Sequence, residues 1–410
     1  MSPPSSVIVY VGQKVCVAGG VVQGIVELNL RQLQEEQVEE VHVKLRGFAQ
    51  TSIMRRDQTD RENIDLVRFN TSIWSRGAAY PRPGSHFLTV PFQLSLPPDL
   101  PPSFSHHHVA GDATVRYYIE AVGVRPGAFR LNKRIDHPLA VVPSDPKGCR
   151  IKTELQGGWQ GPWNTVSQVK RIRKGIWGGY ADVKMEVVYP MIPIYPLFTN
   201  IPFSISIFTT SKSMKRTDSK HWPRPPRAAK EIDFELRRKV YVRAGRWDQY
   251  SSERVGSLGG MGDCLEHTDL HIEAPERQWS PAADDKSMGR WKQDATFTSS
   301  FQLKCPPTFK FATMSNEYHL HVRVDFGGLF NSLAVDIPMT IASGIVPTNL
   351  PIETELTGST SSADAVSLSP EILDLPPYVA HLVKYNLLKL VVSILPRSYW
   401  SSVLPADHKA

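Results

Sequence analysis

The chain has 410 residues, 41% of them hydrophobic, and a formal charge of +7; that length and apolar content predict two to three packed domains and exclude wholesale disorder. Its 33 prolines and 27 glycines are scattered between short apolar runs, which excludes a collagen-like or single low-complexity chain. The charge is a mild excess for this length, so it permits anionic partners and selects none.

The opening residues lead straight into an apolar run at 7–11, without the charged and long apolar regions of a signal peptide. Cys16, Cys149, Cys264 and Cys305 stand far apart with no CxxC spacing. Both features predict a reducing, cytosolic setting. Helical periodicity is nearly absent from the first 340 residues, where apolar, β-branched and aromatic runs alternate with turn chemistry. Strands are expected at 7–11, 15–17, 21–30 and 38–48. In the last of these, Val41, Val43, Leu45 and Gly47 alternate with His42, Lys44 and Arg46, the pattern of a strand with one wet face. The charged segment 55–62 reads as a hairpin loop, with strands after it at 64–74, 86–94, 114–124 and 130–142. Prolines 97, 98, 101 and 102 lack the N–H of a central ladder strand, so the chain is expected to cross over as a loop there.

Pro143 and Pro146 punctuate the chain, which places a boundary between about 142 and 149. The strand pattern then restarts at 176–188, 201–210, 231–242, 268–272, 295–303, 318–324 and 329–341. Long connections at 212–227, 256–262 and 274–289 are expected to be mobile. The fold class is therefore all-β: two tandem antiparallel, immunoglobulin-like β-sandwiches, at 6–145 and 149–343. From 344 to 410 a Ser/Thr-rich linker precedes a short apolar helix at 379–395, interrupted by His381, Lys384 and Lys389 and ended by Pro396. It is short for a membrane span.

Several segments together resemble the arrestin family, and within it the fungal arrestin-related (α-arrestin) proteins. Residues 15–28 look like the family's opening strand pair, and 41–47 are similar to the next strand, which closes on Gly47. Leu100, Pro101, Pro102, Ser103 and Phe104, followed by 115–121, look like a passage of the N-terminal arrestin domain. Residues 201–207, 231–236, 318–324 and 335–341 resemble strands of the C-terminal one. The resemblance implies an arrestin-like adaptor without catalytic residues, metal or cofactor. Such a protein links membrane-protein cargo, transporters or receptors, to a WW-domain HECT-type ubiquitin ligase and promotes endocytosis. It would work in the cytoplasm, with recruitment to plasma membrane or endosomes and no nucleic-acid partner. The same fold also serves ligase-independent scaffolds of retromer or pH-response type.

Leu375, Pro376, Pro377 and Tyr378 fit the [LP]-P-x-Y ligand of WW domains. The prolines favour a preformed polyproline II segment that loses little entropy on docking, and Tyr378 fills the second pocket. Pro-Pro is equally an ordinary start for the helix at 379–395. Lys220, Pro223 and Pro226 match the [KR]-x-x-P-x-x-P form of an SH3 ligand. Around them Lys212, Lys215, Arg216, Arg224 and Arg227, joined by Lys170, Arg171, Arg173 and Lys174, offer a surface for acidic partners or weak contact with anionic membrane. His106, His107 and His108 lie in an expected extended loop, where neighbours point in alternate directions and make a poor metal site. The glycine-rich 256–262 lacks a Walker lysine, and no G-x-S-x-G or H-E-x-x-H string occurs.

Overall fold

The structure, a computed structural model, describes residues 5–13, 15–56, 58–109, 111–127, 130–175, 178–218, 222–257, 270–328 and 330–347. The first half forms β1 (Val7–Val11), β2 (Val15–Val17), β3 (Val21–Asn29), α1 (Leu30–Glu35), β4 (Glu40–Arg55), β5 (Gln58–Ser75), β6 (Phe87–Ser95), β7 (Phe104–His108), β8 (Gly111–Val124) and β9 (Lys133–Val142). Helix α2 (Pro146–Gln156) leads into the second half. This comprises β10 (Trp163–Arg173), β11 (Tyr180–Pro190), β12 (Tyr195–Pro196), β13 (Ile201–Thr210), β14 (Met214–Lys215), β15 (Ile232–Ala244), β16 (Trp247–Ser257), β17 (His271–Glu273), β18 (Gln278–Pro281), β19 (Met288–Phe301), β20 (Phe309–Lys310), β21 (Met314–Asp325), β22 (Ser332–Met339) and β23 (Ile341–Ala342).

The fold is all-β. One sandwich sets the sheet β1-β3-β6 against the sheet β2-β9-β8-β4-β5, on which β7 also pairs with β8. The other sets β10-β11-β13-β19-β14, extended by β17 and β18 on β19, against β16-β15-β21-β20 with β22 on β21. All pairings are antiparallel except two short parallel ones, β2 with β9 and β12 with β23. Alternation along the strands explains the layers: Val41, Val43 and Leu45 point inward from β4, as do Val115, Tyr117 and Ile119 from β8, onto Val22, Val26 and Leu28. In the second core Phe203 stacks on Phe234 with centroids 4.5 Å apart, and Phe301 lies 5.7 Å from each.

Gly47 sits where β4 passes the ring of Tyr117. A Cβ there would come 2.5 Å from Tyr117 Cδ1 and 2.7 Å from Val67 Cγ1. Gly47→Ala is therefore expected to cost about 1–3 kcal/mol, the usual penalty of overpacking, read as a lowered urea midpoint with unchanged slope.

Strand β15 serves both sandwiches. Ile232, Phe234 and Leu236 belong to the second core, whereas Val240, Val242 and Ala244 belong to the first, together with Met314. Arg238 has the same parity and stands between the two sets.

The two sandwiches also repeat one local device. Pro101, Pro102, Ser103 and Phe104 enter β7, and Pro306, Pro307, Thr308 and Phe309 enter β20. Phe104 opposes Val115, two residues before Tyr117; Phe309 opposes Asn316, two residues before Tyr318. Each tyrosine donates its hydroxyl to the carbonyl of the first proline, at 2.7 Å and 2.8 Å. Ser103 Oγ accepts from the Val141 amide, and Thr308 Oγ1 accepts from the Ile341 amide, both at 2.9 Å. Phe104 and Phe309 meet edge to face with centroids 5.1 Å apart.

Several expectations are corrected. The charged segment 55–62 is mostly strand: β4 runs to Arg55 and β5 begins at Gln58, so the charges ride on a long two-stranded ribbon. His106 to His108 lie in β7, hydrogen-bonded to β8 rather than looped out. Strands β10 and β16 and both helices were not expected, and the strand foreseen at 176–188 begins at Tyr180. The expected mobile loop at 212–227 is pinned through β14, whose Met214 is buried and pairs with Gly289 on β19. Most of 256–262 lies outside the described residues, as does the whole tail from 348 to 410.

Candidate functional site

The solvent face of the second sandwich's larger sheet gathers the basic residues that the sequence scatters. Antiparallel register places Arg171, Asp182, Thr210 and Lys292 in one cross-strand row, and Val169, Lys184, Phe208 and Asp294 in the next. Arg173 pairs with Tyr180 at the turn between β10 and β11, and its guanidinium lies 5.3 Å from the ring centroid. The side chain of Lys212 lies against Gly179 in the same turn. Because β14 holds Lys215 opposite Met288, two residues before Arg290, Lys212 and Lys215 of the expected loop share one end of one sheet with Arg171 and Arg173 of β10.

Asp182 accepts from both Arg171, at 3.3 Å, and Arg290, at 3.5 Å, so one carboxylate serves two guanidiniums. Lys170 is turned away from this face: its Nζ donates to the carbonyls of Phe330 and Ser332 at 2.8 and 3.0 Å, tying β10 to the opposite sheet. Lys212, Lys215, Arg216, Arg224 and Arg227 are all exposed. Tyr180 and Phe208 add exposed rings beside them, with Val169 the most open at 67%. This face can hold acidic groups while its rings cover apolar surface. Sequence reading found the cations but missed Tyr180, Phe208, Asp182 and Arg290, which come from other strands; only the register brings them together.

The SH3 reading is corrected. Pro223 and Pro226 are buried, and the preceding Trp222 lies against the second core with its Nε1 donating to the Phe326 carbonyl at 3.4 Å. An SH3 groove needs the prolines on an open polyproline ridge, and here they face inward. Lys220 lies outside the described residues, and so do Leu375, Pro376, Pro377 and Tyr378.

A second polar cluster sits where the sandwiches meet. His106, on β7, is buried; its Nε2 lies 2.9 Å from Ser251 Oγ and its Nδ1 3.3 Å from the guanidinium of Arg238. Arg238 can only donate, so Nδ1 accepts and Nε2 carries the proton of the neutral ring. Arg238 also donates through Nε to Glu253 Oε1 at 2.7 Å and lies 5.4 Å above the Phe104 ring. Burial, then the charge of Arg238, hold the His106 ring below the usual histidine range; Glu253 opposes this in part. Thr51 Oγ1 donating to the Arg243 carbonyl at 2.7 Å, and Arg55 lying 3.6 Å from the Trp247 ring, complete the seam.

Among the described residues no group of three or more His, Cys, Asp or Glu side chains could hold a metal ion, and no helix is long and apolar enough to cross a membrane. Burial pushes the Cys16 and Cys305 thiols up to about 12, so neither ionises at neutral pH. No protein-family model matches the chain, and no curated protein matches it.

Proposed function

We propose that this protein is a non-enzymatic, arrestin-like adaptor of the cytoplasm, recruited to plasma membrane or endosomes. In this reading the sandwiches engage acidic segments of membrane-protein cargo, and Leu375, Pro376, Pro377 and Tyr378 engage a WW-domain ubiquitin ligase. The observation that carries it is the basic, ring-bearing sheet face, a surface suited to acidic polypeptide, held on two sandwiches that share a strand. A rigid body with a binding face and a tail bearing a polyproline ligand is the arrangement an adaptor needs. The order of arrestin-like segments along the sequence supports the same reading.

The test is capture of the full chain on a panel of immobilised WW domains. Tyr378→Ala is expected to lower binding at least tenfold while leaving the thermal midpoint unchanged, because the motif falls in sequence beyond the segments that build the two sandwiches. Binding that persists in the variant would remove the motif from the reading. A wild-type chain that no WW domain captures would favour the ligase-independent scaffold.

A further inference from the structure

On the solvent face of the first sandwich, where β4, β5, β8 and β9 run side by side, a cleft of about 360 Å³ is lined by Lys44, Arg46, Arg68, Arg134, Asp65 and Glu120. In the ladder Arg46 stands directly opposite Arg68 on one side and opposite Tyr118 on the other. Like charges at directly opposed positions repel, because their Cβ atoms are only about 5 Å apart. Lys44 is two residues along the same strand and therefore on the same face.

The carboxylates present do not relieve this crowding. Glu120 is buried and already shared by Arg134, at 2.9 Å, and Lys44, at 3.9 Å. Asp65 pairs with Arg68, at 3.6 Å, and both are exposed. Among the described residues Arg46 makes no ion pair. Four lining cations face two lining carboxylates, and Asp136, opposite Glu120 on β9, adds one negative charge beside Arg134, so the cleft remains at least one negative charge short.

From this deficit we infer that the cleft is a binding site for a phosphomonoester dianion. Such a group carries about −1.5 to −2 charges at neutral pH and three strong acceptor oxygens. Two adjacent guanidiniums present planar donor forks that match those oxygens pairwise. Phe48 and Tyr118 form the adjoining wall, with centroids 6.4 Å apart and rings nearly perpendicular, and give the organic part of the ester an aromatic surface. The site belongs to the first sandwich and is independent of the basic face on the second.

Phenyl phosphate is the probe, titrated into the full chain at constant ionic strength by calorimetry. The wild type is expected to bind it saturably, Arg46→Gln with Arg68→Gln to bind at least tenfold more weakly, and Lys212→Gln with Arg216→Gln to bind as the wild type does. Phenyl sulfate, nearly the same shape but a monoanion, is expected to bind several-fold more weakly. Arg46→Lys keeps the charge and loses the fork, so an intermediate loss is expected from a variant whose fold is least disturbed. Absence of saturable binding to the wild type, unchanged affinity in the double arginine variant, or equal affinity for the two esters would overturn the assignment.

Discussion

Val242→Asp is expected to unfold the first sandwich although the residue belongs to the second half of the chain. Val242 is 3% exposed, lies in the first core with Val240 and Ala244, and reaches that core only because β15 runs past the end of its own. A carboxylate there would sit among buried apolar side chains and must either stay charged in that setting or take up a proton. The cost is about 4 kcal/mol or more, comparable with the whole margin of a domain of this size. The measurement is urea unfolding followed by tryptophan fluorescence, with Val242→Ala as the milder companion at about 1–2 kcal/mol. A Val242→Asp chain that kept the wild-type midpoint would mean that β15 does not complete the first core.

Arg238→Ala comes next in size, at about 2–3 kcal/mol near pH 7.5, because it strips the hydrogen bonds to His106 and Glu253 and the cover over Phe104. The same substitution has a pH signature. His106 is depressed in the folded chain by burial first and by Arg238 second, while Glu253 pulls the other way and His108 lies stacked nearby at 6.1 Å. A depressed histidine is neutral in the fold, so the unfolded chain takes up the proton first as pH falls below the ordinary value of 6.5. Stability present above that value is lost on acidification toward the folded pKa. His137 and His319, also lowered chiefly by burial, add to the loss in the same direction. Without Arg238 the depression of His106 shrinks, and the gap between variant and wild type should narrow from pH 7.5 to 5.5. Equal gaps at the two values would remove His106 from the coupling between the sandwiches.

The strands that build the cores were legible in the sequence because each shows one continuous buried face; β4 and β13 alternate almost without a break. Strand β10 was not, since Ile172 is its single fully buried residue and its other apolar residues, Trp163, Val166 and Val169, are spaced among polar ones without forming a buried face. It is held by ladder bonds and by Lys170, neither of which leaves a periodic trace. Strand β16 hid for the same reason, pairing with β15 as a largely polar edge. Helix α2 did announce itself: Asp145 caps it by accepting from the Gly148 amide at 2.8 Å, and Pro146 occupies the first turn. A Pro next to a boundary reads just as well as a break, and only the buried spacing of Ile151 and Leu155 separates the two meanings.

The sites were legible as charge and not as geometry. The cations at 212–227 stood out because acids are scarce there, yet the ring of Tyr180 and the carboxylate of Asp182 join them only through register. His106 and Arg238 are 132 residues apart, and nothing local to either sequence foretells the other. The burial of Pro223 and Pro226 is set by where Trp222 anchors, a tertiary choice that overrides the polyproline pattern.

The repeated proline-tyrosine device bears on how the molecule is put together. Phe104 touches Phe309, its own counterpart in the other half, and contact of a residue with its equivalent is the mark of a self-complementary interface between identical subunits. Within this one polypeptide the two halves thus meet through the same local device, although only the second lends a strand, β15, to the core of the other. The place opposite the anchoring tyrosine is where the two halves part: Gly47 in the first leaves room for a ring to lie flat, and Arg238 in the second carries a charge that reaches across to the neighbouring sandwich.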